Sequence, residues 1–378
     1  MKPVVTSIAV ALAIGLGLTG AGYVPGQASA ALPREETKSL DQLYQDAIAE
    51  GGQLIVYAGG DTVDQQDANA NAFRARFPEI KLTMSVDYSK FQDARVDLQL
   101  ASHTLVPDVV QLQEVQDFDR WKSEGVLQPY FPAGFSKVYN KFKDPGGAWI
   151  GIVVNAFSNV SNPALTGEQA PSTAEDYLDP RWKAKIVVDY PNDDDATEFL
   201  FKKEIDKYGW QWLTKFLAQE PKFVRGGQAP VDEVAGGQMP VAFGVAGSLR
   251  YRPGDTTKFS IPKSDPFMAW AQRAPMFKQT KHPAAASLYL NWWLSKQQQQ
   301  NLRQWPTRTD VAPADEYRPI WEYPNAYVDE FPQMMADRGA MERLRSELTQ
   351  YIGEPQGPPS AGVQGLYPGK DGVPPPKP

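Results

Sequence analysis

Hydrophobic and polar positions along this chain alternate between two periods from Gln53 onward. Gln53-Leu-Ile-Val-Tyr57 is an apolar run of strand length, and such runs read as buried strands. Gly59-Gly60-Asp61 is a turn signal, and Thr62-x-x-Gln65 has the spacing of a capping box opening a helix to about Phe77. Ile80 to Val86 reads as the next strand, with Ser89-x-x-Gln92 capping the helix after it. Asp108-Val-Val-Gln-Leu112 is a third strand, followed by a helix through Asp117 and Trp121. Three strand-then-helix units in succession predict an α/β fold, a mostly parallel sheet flanked by helices.

The pattern continues in the second half. Ser172-x-x-Glu175 is a further capping box leading into Asp179-Pro-Arg-Trp. The β-branched run Ile186 to Val188 ends at a Pro191-Asn192 turn, and a helix is expected to start at Asp195, with Asp195-x-x-Glu198 as its capping box and Gly209 as its stop. A strand running into a helix N-terminus is where α/β proteins place ligands. Here that terminus is crowded with Asp193, Asp194 and Asp195, which points to binding rather than reaction. The plainer alternative is that Asp193 and Asp194 are solvated terminal acids, each favoured by the helix dipole by roughly 0.3–1 kcal/mol. Pro283 suits the first position of a helix carrying Leu288, Trp292 and Trp293, and Gln297–Gln300 reads as its solvated polar end. From about Glu354 the chain becomes Pro- and Gly-rich, and residues 353–378 are expected to form a disordered tail.

Length and composition narrow the classes. A chain of 378 residues with 42% hydrophobic and 22% charged residues has room for two ordinary domains. A net charge of −7 with no basic stripe sets nucleic-acid binding aside. Lys2, the apolar run Ile8–Leu18 and Ala28-Ser29-Ala30 read as a secretory signal over residues 1–30, so the mature chain is expected to begin at Ala31 and to be periplasmic or extracellular, with no membrane insertion. With no cysteine there is no disulfide, no thiol nucleophile, no Cys-ligated zinc and no lipid-bearing thiol. Only His103 and His282 are present, both near helix ends, and no serine sits in a G-x-S-x-G elbow. Two carboxylates of the acidic turn are the one constellation a hydrolase could use. Gly59-Gly60-Asp61-Thr62 lacks the spacing of a phosphate-binding fingerprint. Ten tryptophans and sixteen tyrosines would serve a stacking cleft, but Trp210, Trp212, Trp292 and Trp293 fall at helical spacing and read as core.

Four segments carry a family resemblance: Gly147-Ala-Trp149-Ile-Gly151, Asp179-Pro-Arg-Trp-Lys-Ala-Lys185, the helix region from Lys278 to Lys296, and Trp305-Pro-Thr-Arg308-Thr-Asp310. In order and spacing they resemble the type II periplasmic binding proteins of ABC importers, those related to ferric-ion binders, over roughly residues 40–325. The resemblance implies a two-lobed Venus-flytrap. Its first lobe would comprise residues 31–150 plus 265–352, its second 151–264, with hinges near 150–157 and 258–272. Ligand would lie in the cleft, and closure around it is the expected motion.

Departures from the ferric pattern redirect the ligand. Where ferric members place adjacent tyrosines, this chain has Gly247 and Ser248; the first-lobe glutamate falls near Gln113, and the early histidine within Gly59–Thr62. Ferric ion wants hard anionic oxygens, which this set supplies poorly. The start that holds a companion anion in those relatives is here Asn192-Asp193-Asp194, which would repel one. The expected ligand set is therefore Gly59, Gly60, Asp61, Thr62, Gln113, Asn192, Asp193, Asp194, Gly247 and Ser248. It suits a neutral or cationic polar solute, or a metal held mainly by carboxylates. The expectation is a monomeric, non-enzymatic solute-binding protein without a cofactor, with an ABC permease as partner. A free extracellular binding or sensing protein and a carboxylate-dependent hydrolase are the alternatives.

Overall fold

In the computed structural model, the described residues are 35–368, apart from 315, 360 and 363. The expected signal segment lies outside them. Eleven strands form two sheets: β1 Gln53–Gly59, β2 Lys81–Asp87, β3 Val109–Gln111, β4 Leu127–Gln128, β5 Ile150–Ser161, β6 Ile186–Asp189, β7 Lys222–Val224, β8 Val241–Ala246, β9 Lys258–Ser260, β10 Met268–Ala274 and β11 Met276–Phe277. The first sheet has the order β2-β1-β3-β11-β4, and the second β10-β5-β8-β6-β7 with β9 on β5. In the first, β1 pairs parallel with β2 and β3; in the second, β6 pairs parallel with β7 and β8. The expected α/β class, with sheets flanked by helices, is what the chain adopts, but both sheets are mixed rather than mostly parallel: β11 pairs antiparallel with β3 and β4, and β5 pairs antiparallel with β8, β9 and β10.

Two antiparallel partners, β5 and β10, run side by side from Phe157–Met268 to Ile150–Ala274. One residue after β10, the chain enters β11 of the other sheet, so the two sheets are joined through this pair. Gly151 is obligatory there: a Cβ would stand 2.8 Å from the Phe142 carbonyl oxygen and 2.9 Å from Ala271 Cβ. Helix Pro283–Leu294 returns to cover β1 and β5, burying Leu288, Tyr289, Trp292 and Trp293 in a core continuous with Leu54, Val56 and Val154. Trp212 is likewise core, packed on Phe201, Phe216 and Phe243, whereas Trp210 stacks on Tyr351.

Helix starts depart from the sequence expectation. The chain after β1 makes turns from Asp61 to Gln65, and the helix begins at Asp67 rather than Thr62, because Gln65 Oε1 bonds back to the Asp61 N–H and folds the segment on itself. Helix Ser89–Ala101 has no side-chain cap; Ser89 Oγ accepts from Gln113 N–H instead. At Ser172 the reciprocal bonds run between Thr173 and Asp176, not to Glu175. The cap of helix Asp195–Tyr208 is Asp194, which accepts from Thr197 N–H at 2.8 Å, while Asp195 is the first helical residue. Gly209, with φ 75°, ends that helix as expected.

Two polar segments also differ. Gln297–Gln300 belongs to a separate helix, Lys296–Asn301, capped by Ser295. Gln299 is buried there, donating to the Ile152 and Trp293 carbonyls and accepting from Thr307 N–H. The tail is not disordered through its described part: Gln364 is buried against β2 and helix Ser89–Ala101. No helix among the described residues is long and apolar enough to cross a membrane.

Candidate functional site

Parallel strands present their C-terminal ends along one edge, where the following loop leaves backbone N–H groups and short polar side chains without intrastrand partners. Here the ends of β1, β2 and β3 meet those of β6 and β7. The seam between them is made of side chains reaching across. Asp61, from the loop after β1, accepts at Oδ2 from Gln228 N–H at 3.0 Å, and so caps helix Gln228–Ala235. At Gly227 a Cβ would stand 3.2 Å from Phe157 Cζ, while the Asp61 oxygen, at 3.8 Å, would remain in ordinary contact. Lys90, in the first turn of the helix after β2, places Nζ 2.7 Å from Asp193 Oδ1 and 2.6 Å from its carbonyl oxygen. Gln113, just beyond β3, donates to Asp194 Oδ2 at 3.4 Å.

Charge at the seam is predominantly acidic. Arg225 grips Asp193 with two bonds, Nε to Oδ2 at 2.6 Å and a terminal nitrogen to Oδ1 at 3.0 Å. Burial pushes the Asp193 carboxyl up, but Arg225 and Lys90 outweigh it and hold the group below its ordinary value. Asp61 is raised to about 7, by burial first and by the Asp194 charge second. Burial raises Asp194 as well, and it raises Asp189 well above the ordinary carboxylate range, with Asp194 and Asp61 adding to the effect. Asp189, at the end of β6 and fully buried, accepts from Gly226 N–H at 2.9 Å. These carboxylates outnumber the cations Lys90 and Arg225 that pair with them, and acids raised by burial and by one another are a signature of functional clefts.

The predicted residues do not all converge. Asp61, Gln113, Asp193 and Asp194 are drawn together across the seam. Gly59 and Gly60 line the β1 turn as space-savers: a Cβ would stand 2.1 Å from Ser89 Oγ at the first and 2.6 Å from Val86 Cγ1 at the second. Thr62 closes the turn by accepting from Gln65 N–H. Asn192 points away from the acidic group and donates to Thr349 Oγ1 and the Gly353 carbonyl. Gly247 and Ser248 make their contacts elsewhere. The Gly247 carbonyl accepts from Gln304, and Ser248 Oγ accepts from Arg250 N–H. A side chain at 247 would collide with Phe259, whose Cβ stands 2.6 Å from the added carbon, so a tyrosine could not occupy this position in this arrangement.

Sequence reading passed over Lys90, Asp189, Arg225 and Gln228. Only the Arg225-Gly226-Gly227 run, a loop signal after β7, marked any of them. It also passed over Asp93, Glu114 and Asp117, whose carboxylates lie within 4.8 Å of one another and are spaced to hold a cation. Gln116 donates to Glu114 and Asp117, and Arg120 pairs with Asp117 at 2.7 Å. Burial, then the Asp117 charge, raises Asp93 to about 8; burial, then the Asp195 charge, raises Glu114. Two surface cavities, one beside Asn291 and Arg308 and one beside Asp179 and Trp182, include none of the predicted residues.

Comparison with known proteins places this geometry. Residues 105–319 match the sequence pattern of the bacterial extracellular solute-binding proteins. No curated protein sequence matches the chain significantly. Among solved structures, iron-bound HitA from Pseudomonas aeruginosa is similar with a TM-score of 0.60 at 18% identity, covering 78% of this chain and 99% of its own. The periplasmic binding protein AfuA from Actinobacillus pleuropneumoniae, with fructose-6-phosphate bound, gives 0.63 at 16% identity, covering 80% and 99%. The substrate-binding protein of an ABC transporter from Agrobacterium tumefaciens gives 0.62 at 14% identity, covering 79% and 94%. At these identities the likeness is one of fold.

Proposed function

We propose a function from one premise: the chain belongs to the bacterial extracellular solute-binding proteins. It captures a small polar solute, neutral or cationic, between two lobes and delivers it to an ABC-type permease. The lobes are built on the two sheets and joined through β5 and β10; helices Glu330–Ala336 and Arg338–Ile352, expected in the first lobe, instead pack on helix Asp195–Tyr208 of the second, burying Phe331, Met335, Met341 and Leu348 there. Binding, not catalysis, is the role. Each seam carboxylate is engaged by a protein donor, Asp61 by Gln228, Asp193 by Lys90 and Arg225, Asp194 by Thr197, so none is presented as a free base or nucleophile.

One observation carries the charge preference: Asp61, Asp193 and Asp194 meet across the seam, with Asp61 raised to about 7. An anion entering there would meet carboxylates that already suppress one another's ionisation. A cation would instead take over the place of the Lys90 ammonium on Asp193 and let the neighbouring acids ionise. The iron of HitA and the fructose-6-phosphate of AfuA are ligands of those proteins. This chain lacks the tyrosine pair of the ferric pattern at 247–248, and phosphate would face the Asp193–Asp194 carboxylates.

Native mass spectrometry of the purified mature protein, followed by thermal-shift titration with spermidine, glucose, fructose-6-phosphate and ferric citrate, tests this. Stabilisation by the amine or the neutral sugar is expected, and Asp193→Asn is expected to weaken the amine at least tenfold. Stabilisation by the phosphosugar or ferric salt alone would overturn the reading.

A further inference from the structure

We propose that the chain after helix Arg338–Ile352 is a latch that holds the two sides of the seam together and must release for the site to open. The latch rests on the reading of the site as a seam whose sides move apart. Its contacts fall into two sets. At the near end, Asn192 Nδ2 donates to Thr349 Oγ1 at 3.0 Å and to the Gly353 carbonyl at 2.9 Å, and Arg225 donates to the Gly357 carbonyl at 2.9 Å. These residues flank and grip Asp193. At the far end, Gln364 accepts from Ser85 Oγ at 2.9 Å and donates to the Val86 carbonyl. Arg95 donates to the Gly365 carbonyl, Gln99 to the Leu366 carbonyl at 2.7 Å, and Thr104 Oγ1 lies 3.0 Å from the Tyr367 hydroxyl. These residues belong to β2 and to the helix, with its following turn, that carries Lys90. The segment therefore bridges the same two elements as the Lys90–Asp193 pair.

Its composition fits that task. Four of the contacts are made by the segment's own backbone carbonyls, which need no particular side chain. Prolines lack an N–H that would otherwise require a partner, and they reduce the freedom lost when the segment docks. Gly353, Gly357, Gly362 and Gly365 all adopt positive φ, between 74° and 90°, where other residues would be strained. Gln364 inserts a long polar side chain, 7% exposed, against β2. The family pattern ends at residue 319, so the segment lies beyond the part of the chain that establishes the family. Because the segment continues covalently from helix Arg338–Ile352, its weak bonds to β2 and helix Ser89–Ala101 act at high effective concentration and resist opening together.

Hydrogen exchange and small-angle scattering on the full mature chain, without added solute, test the latch. Gln364→Ala is expected to speed exchange at least about threefold in residues 59–62, 190–194 and 225–228 as well as in 353–367, and to raise the radius of gyration. Thr349→Val, at the opposite anchor, is expected to act in the same direction. Faster exchange confined to 353–367, with the scattering unchanged, would overturn the latch, as would loss of protection throughout β1 and β5 in both variants, which would make the segment core structure. None of these readouts involves solute, so failure of the latch leaves the proposed cargo standing, and failure of the cargo leaves the latch.

Discussion

Asp61 Oδ2 accepts from Gln228 N–H at 3.0 Å, so a carboxylate from the end of β1 caps a helix that follows β7 in the other sheet. The helix N-terminus favours a negative charge, while burial and Asp194 oppose it. The balance leaves Asp61 titrating near 7 in the folded chain against an ordinary 3.8.

Stability should therefore respond to pH through this group. Between the two values the folded chain holds a proton that the unfolded chain has released, so the Asp61 contribution falls as pH rises from about 4 to about 7 and is constant above that. Asn at this position still accepts the Gln228 bond but carries no charge. Asp61→Asn is expected to gain up to about 4 kcal/mol relative to the parent on going from pH 4 to pH 8, read from urea unfolding at both values. An equal difference at the two pH values would refute it.

Asp194, not Asp195, caps helix Asp195–Tyr208. Asp194→Ala is expected to cost about 1 kcal/mol in chemical denaturation, and Asp194→Asn much less, since the amide oxygen can still accept from Thr197 N–H. Equal losses from the two substitutions would assign the effect to charge rather than capping.

Arg345 lies against two buried acids, Asp195 and Glu198, and Arg338 shares Asp195 at 3.2 Å. Burial raises Glu198 to about 8 despite Arg345. Arg345→Met leaves Asp195 with Arg338 alone and Glu198 without its ion-pair partner, and is expected to cost about 3 kcal/mol, with Arg345→Lys recovering part of it, as measured by the urea midpoint.

Gln299 joins three separate backbone segments, at Ile152, Trp293 and Thr307. Gln299→Leu keeps the volume and orphans those groups, for an expected loss of about 2 kcal/mol in thermal or urea unfolding. A substitution tolerated without loss would restore the solvated reading of this run.

Period alone located four of the eleven strands among the described residues: the apolar runs at 53–57, 80–86, 108–112 and 186–188 lie within or beside β1, β2, β3 and β6. It also marked Pro283 at a helix start and Gly209 at a helix stop, because these depend on local backbone geometry. Caps were less legible. Asp194 and Asp195 are both plausible from spacing, and the choice was settled by the two arginines of helix Arg338–Ile352, which draw Asp195 into ion pairs.

The chain's own order of residues determined the α/β class and the placing of Asp61, Gln113, Asp193 and Asp194 at strand ends. Each of those follows from what a strand, a turn or a helix start requires within a few residues. Tertiary structure alone decided which of them meet. Lys90 and Asp193 are 103 positions apart, and Gln228 and Asp61 are 167 apart. Such pairs leave no periodic trace, since a single long-range contact constrains neither neighbour's residue type. The same holds for the segment after Ile352. Its composition resembles that of an unordered tail, and it is held in place by donors from Asn192, Arg225, Arg95 and Gln99, whose positions exist only once both sheets have formed.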